Sequence, residues 1–215
     1  MVAGAGAGRN AMEEAFEALY RKPVVIESHR LSGRTDRGIG LELLREHKLA
    51  APENEEAELA RVFEAYLDRL PHRLRQTPGR LLPGVTEILT RLKQAQGLSL
   101  GLLTGNLKQG ARHKLDSFGL TEFFAFGGYG DRHADRDDVA REAMGQIPPE
   151  VGTPKEVWVI GDTPLDIRCA RAIGARVLAV ATGGHPRDEL ATFGPDLLLD
   201  NLADIDFVCQ NLMGV

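Results

Sequence analysis

From residue 82 onward, short apolar runs alternate with stretches whose apolar residues recur every three to four positions. The runs read as buried strands and the stretches as amphipathic helices. Predicted strands are Leu98–Leu103, Phe123–Phe126, Val157–Ile160, Arg176–Ala181 and Leu197–Leu199. Helices fall between them over Pro83–Leu92, Lys108–Phe118, Asp138–Gly145 and Pro164–Ile173, with a last one at the C-terminus. Gly119 and Gly174 stand where left-handed C-caps belong. Strands joined through helices run parallel, and a parallel sheet needs cover on both faces. The predicted fold class is therefore α/β, a Rossmann-like parallel sheet core carrying an inserted α-helical cap domain.

Residues 1–80 read differently. Met12–Tyr20, Asp36–Glu46 and Glu55–Leu70 are amphipathic helices, and only Val24–Val25–Ile26 looks like a strand. This predicts a core of residues 1–21 and 81–215 with a helical cap at 22–80. A hydrophobic content of 43% with 27% charged residues excludes a disordered or fibrous chain. Lys plus Arg number 26 and Asp plus Glu 31, a net charge of −5 with both signs interspersed, so no nucleic-acid partner is expected. No apolar run approaches the roughly 18 residues of a membrane span and no signal peptide opens the chain, which predicts no membrane partner and a cytoplasmic location. Cys169 and Cys209 share no metal-type spacing and read as buried, reduced thiols. Nothing in the pattern sets an oligomeric state.

Open parallel sheets gather ligands at the carboxyl ends of their strands. That rule selects Thr104–Gly105–Asn106, the run from Gly161 to Asp166, and Thr182–Gly183–Gly184. Asp162 and Asp166 sit four apart across a strand end and a first helical turn, where both carboxylates can face one point and form a hard-oxygen site for Mg²⁺. The competing reading has Asp162 cap the helix and Asp166 balance its dipole. Thr104 precedes a helix whose free N–H groups make a phosphate seat; an ordinary turn is the alternative. In Ser32–Gly33–Arg34–Thr35–Asp36, Arg34 could be lowered onto a substrate, or Thr35 or Asp36 could simply cap the next helix. His29, His72, His113 and His185 show no ligand spacing and read as surface residues, as do Glu13 and Glu14. The run from Gly4 to Gly8 fails the dinucleotide fingerprint in spacing and context, and reads as a flexible connection.

A strand ending in Leu102–Leu103–Thr104–Gly105–Asn106, then one ending in Gly161–Asp162–Thr163–Pro164–Leu165–Asp166, resembles the haloacid dehalogenase superfamily, in particular its phosphoglycolate phosphatase-like members. The resemblance covers residues 8–210, including the Pro83–Gly84 entry to the core and the Ala181–Thr182–Gly183 strand end. It implies Mg²⁺-dependent hydrolysis of a small phosphorylated metabolite through an aspartyl-phosphate. By resemblance Thr104 binds the transferring phosphoryl group with Gly105 and Asn106 beside it, Asp162 ligates Mg²⁺, and Asp166 holds the metal shell. The loop Gly130–Arg136 stands where the family's phosphate-binding lysine belongs and contains none, so Arg136 is the first substitute and Lys114 the second, the alternative for either being a plain surface charge.

The family's opening strand, which ends in Asp-x-Asp and carries the nucleophile, has no counterpart here; the first aspartate is Asp36. Losing about five buried apolar side chains at about 1.5–3 kcal/mol each would remove about 7–15 kcal/mol, the net stability of a domain. The expectation is a start assigned too far downstream, and little turnover by the chain as given. The alternative is a non-catalytic relative that binds phosphate or metal, or a partner-dependent scaffold.

Overall fold

Strand and helix alternate from Arg80 onward in the computed structural model, which describes residues 2–214. The chain opens with β1 (Val2–Ala3) and α1 (Ala7–Tyr20), then α2 (Asp36–Glu46) and α3 (Glu55–Gln76). Next come β2 (Arg80–Leu81), α4 (Val85–Gln94), β3 (Gly101–Leu103), α5 (Lys108–Asp116), β4 (Phe126–Gly128) and α6 (Arg136–Gly145). The series closes with β5 (Trp158–Gly161), α7 (Pro164–Ala172), β6 (Arg176–Val180), α8 (Arg187–Thr192), β7 (Leu197–Leu199) and α9 (Ile205–Met213).

β3 pairs in parallel with β4, and β5, β6 and β7 form a parallel sheet in that order. Among the described residues no ladder joins β3 to β5, so the parallel sheet comes in two pieces. The α/β Rossmann-like class holds, with the helices covering the strands. α4, α5 and α9 pack on Leu102, Leu178 and Val180 in one apolar cluster, and α7 packs on Val159, Val177 and Ala179 in another.

A third cluster unites α1, α2 and α3 around Phe16, Leu43, Leu44, Val62 and Leu70. α1 thus shares its apolar face with the helices expected in the cap. Three local expectations are corrected. The Gly-Ala run is no flexible link: Val2 and Ala3 pair antiparallel with Leu81 and Arg80, and Gly6, at φ 87°, turns the chain into α1. Val24–Val25–Ile26 forms no strand, because Val24 and Ile26 anchor an irregular segment in the helical cluster while Val25 is 75% exposed. α3 does not stop at Leu70 but continues past Pro71, since Leu74 extends the apolar face that Tyr66 and Leu70 begin.

Candidate active site

The chain leaves β3 at Thr104, whose N–H still donates to the Gly128 carbonyl at 3.1 Å. Its hydroxyl accepts the Asn106 N–H at 3.2 Å, closing a tight turn. A Cβ on Gly105 would collide with the Arg34 carbonyl, so the glycine lets the segment 32–36 lie directly on this turn. The Asp36 N–H then donates to the Gly105 carbonyl at 2.7 Å.

The sequence predicts open amides at the start of α5; the structure fills the first two, those of Leu107 and Lys108. Leu107 N–H donates to the Asp36 carboxylate at 2.9 Å and Lys108 N–H to that of Asp131 at 2.8 Å. Free amides and the helix dipole attract anions, and here two carboxylates of the chain itself take the position. Asn106 Nδ2 adds a 3.3 Å bond to Asp36, and its Oδ1 accepts from Lys114 Nζ at 2.9 Å. Burial pushes the Asp36 carboxyl above its ordinary value against the pull of Lys114, and the same burial pushes the Lys114 ammonium down. Both line a cavity of about 690 Å³ together with Arg9, Arg34, Tyr66 and Thr104. Lys114 therefore meets the β3 end through Asn106.

At the end of β5 the two acidic residues part company. The Asp162 carboxylate lies against Gly183, where a Cβ would strike it, and makes no hydrogen bond to another described residue. Burial, reinforced by Asp166, pushes its pKa up, and Arg136 opposes the shift. Asp166 does not face the same point. Its Oδ2 accepts from Asp162 N–H at 3.0 Å, Thr163 N–H at 3.0 Å and the Thr163 hydroxyl at 2.9 Å, and its Oδ1 accepts from Arg136 at 2.6 Å. Thr163, not Asp162, caps α7, with Asp166 completing a capping box. The Thr-x-x-Asp spacing of Thr163 to Asp166 was the signal available for this.

Arg136 occupies the interval between the two sheet pieces. Its guanidinium reaches from Asp166 to the Leu103 carbonyl at 3.4 Å, and its side chain is only 12% exposed. Arg34 also lines the cavity, but Glu42 answers its charge. Arg9, which the sequence pattern did not single out, donates to Ser28 Oγ at 3.0 Å and has a buried Nε with no partner among the described residues.

Residues 11–180 match the family model of the haloacid dehalogenase-like hydrolases. The chain belongs to that family. It is 30% identical to a phosphoglycolate phosphatase of Agrobacterium fabrum over 196 residues, 90% of this chain and 81% of that one. A phosphoglycolate phosphatase of Synechococcus elongatus is 31% identical over 135 residues, 62% of this chain and 61% of its own length. Among solved structures, a hydrolase from Pseudomonas syringae superposes with a TM-score of 0.69 at 20% identity, covering 97% of this chain and 92% of that one. CbbY from Rhodobacter sphaeroides in complex with phosphate gives 0.68 at 22% identity, covering 93% and 88%.

In this haloacid dehalogenase-like hydrolase, the described residues offer one metal-ready carboxylate. Mg²⁺ keeps several waters and is held by one or two protein carboxylates plus substrate oxygens. Asp162, at a strand end with its oxygens unclaimed by other described residues, suits one such position; Asp166, with both oxygens engaged, does not. Among the described residues no three His, Cys, Asp or Glu side chains form a metal-binding group. No helix among them is long and apolar enough to cross a membrane. Cys169 and Cys209 are free and buried, and burial lifts the Cys169 thiol to about 11.

Proposed function

We propose that the protein is a Mg²⁺-dependent phosphomonoester hydrolase of small phosphorylated metabolites, acting in the cytoplasm through residues at the ends of β3 and β5. One observation carries this reading: among the described residues no ladder joins β3 to β5, Thr104 and Asp162 stand at the ends of those two strands, and Arg136 reaches from the Leu103 carbonyl to Asp166 across the gap. A strand inserted there would complete the sheet and present its terminal carboxylate between the Thr104 hydroxyl and Asp162. We assign that carboxylate as the nucleophile that takes up the phosphoryl group, on a strand ending in Asp-x-Asp. The names of the Agrobacterium and Synechococcus relatives, and the phosphate bound to CbbY, support a small phosphorylated substrate.

The chain's own residues divide the work. Thr104 orients the transferring phosphoryl group by its hydroxyl, with Gly105 leaving the backbone approachable and Asn106 fixing Lys114 beside it. Arg136 supplies buried positive charge, and Asp166 holds both Arg136 and the backbone that aims Asp162. Mg²⁺ held by Asp162 would neutralise charge on the phosphoryl oxygens. The helices over residues 22–80 serve as the cap, and the segment 32–36 lying on Gly105 marks where that cap meets the core, with Arg34 at the substrate side. The non-catalytic reading is favoured by one feature, the occupation of the α5 amides by Asp36 and Asp131, which mimics a bound anion.

Vanadate, a phosphoryl mimic, tests the seat. It should raise the thermal midpoint of the chain in the presence of Mg²⁺, and Thr104→Val should abolish most of that rise. An equal rise in the variant places the phosphoryl group elsewhere.

A further inference from the structure

The glycine pair after β6 leads into His185, which the phosphatase reading leaves without a role. His185 Nε2 lies 2.8 Å from Ser32 Oγ, and its Nδ1 lies 3.0 Å from Glu189 Oε1. Ser32 and His185 are 153 positions apart, so the fold, not a local turn, brings them together. Hydroxyl, imidazole and carboxylate in this order make a serine nucleophilic. The carboxylate holds the proton on Nδ1, which leaves the Nε2 lone pair to take the hydroxyl proton.

The backbone around Ser32 suits the same chemistry. Gly33 adopts φ 68°, a left-handed conformation that turns the chain sharply just after the serine. Among the described residues the N–H groups of Gly33 and Gly184, the neighbours of Ser32 and His185 in the chain, donate to no acceptor. Ser32 is held in place by its neighbours: Thr35 Oγ1 donates to the Ala134 carbonyl at 2.9 Å, and Gly33 packs against Thr163 and Leu165. The side chain of His185 is 23% exposed and that of Glu189 45%, so the group is open to solvent.

We propose that Ser32, His185 and Glu189 form a second, metal-independent hydrolytic centre that transfers the acyl group of small carboxylic esters. Ser32 Oγ bonds to the ester carbonyl carbon while its proton passes to His185 Nε2. The C–O bond to the alcohol then breaks, and the alcohol leaves with that proton. Water, giving a proton to His185, attacks the acyl-serine, and the acid departs as Ser32 recovers its hydrogen. Glu189 is a positioning residue that fixes the ring tautomer. The centre uses none of Thr104, Arg136 or Asp162.

A fluorophosphonate probe tests this on the chain as it stands, in EDTA. Ser32 Oγ should displace fluoride to give one covalent adduct, mapped to Ser32 by mass spectrometry and absent in Ser32→Ala. Labelling should slow by about 100-fold or more in His185→Gln, the usual weight of a general base. In Glu189→Gln the ¹⁵N shifts of the His185 ring should change from the Nδ1–H tautomer to a mixture, which loss of packing alone does not produce. No adduct at Ser32, or an equal labelling rate in His185→Gln, overturns the proposal. Because EDTA removes Mg²⁺, that outcome leaves the phosphatase reading intact, and failure of phosphatase activity leaves this one intact.

Discussion

Asp36 is where burial and hydrogen bonding oppose each other most directly. Its carboxylate accepts the Leu107 N–H and an Asn106 N–H, yet it is only 8% exposed, and burial raises its pKa. The folded chain therefore holds this proton to higher pH than the unfolded chain, whose value is about 3.9. Its contribution is fully present below that unfolded value and is lost as pH rises through the folded one. Wild type should gain stability relative to Asp36→Asn as pH falls from neutrality through that window, measured by urea unfolding at several pH values. A pH-independent difference contradicts the assignment. The strand-end positions of Thr104 and Asp162 were legible in the sequence because a strand end is a local pattern. Asp36 was not, since it meets its amide 71 residues away, and His185 was read as a surface residue because its partner Ser32 is more distant still. Asp166 was legible as a site residue but misread in direction, because helical spacing alone does not reveal that Thr163 and Arg136 claim its oxygens.

At the scale of an element, the start of α7 decides how Asp162 is aimed. Thr163 caps the helix by accepting the Asp166 N–H at 3.2 Å, and its own N–H and hydroxyl reach back to the Asp166 carboxylate. Thr163→Val keeps the shape but removes the hydroxyl, and should cost about 0.5–2 kcal/mol of stability in denaturant unfolding, as lost N-caps do. Thr163→Ser should cost less. A loss in Thr163→Ser with none in Thr163→Val would assign the effect to packing of the methyl group. The helices were legible because the 3.6-residue period survives in their apolar faces. Strand extents were less so: of Leu98–Leu103 only Gly101–Leu103 joins a ladder, and of Phe123–Phe126 only Phe126 does. Partners define a strand, and an apolar run such as Val24–Ile26 without a partner stays irregular. β1 was missed for the converse reason, since two residues among glycines carry no periodic signal.

Across the whole molecule, the two parallel sheet pieces meet at Arg136 without a ladder between β3 and β5, the strands that end at Thr104 and Asp162. Ile160, in the middle of β5, is 40% exposed, a large apolar side chain left without cover. One inserted strand would account for both features: on the proposed reading it pairs two open edges and buries apolar surface worth about 7–15 kcal/mol at about 1.5–3 kcal/mol per side chain. It would also bring a carboxylate to the point that Thr104 and Asp162 flank. The most direct measurement joins an apolar strand ending in Asp-x-Asp-Gly-Thr to the start of the chain and follows two readouts, the thermal midpoint and Mg²⁺-dependent hydrolysis of p-nitrophenyl phosphate. Both should rise together, and changing the first aspartate of the added strand to asparagine should remove the hydrolysis while keeping the stability. A chain that becomes more stable yet hydrolyses no member of a broad phosphomonoester panel would contradict the account.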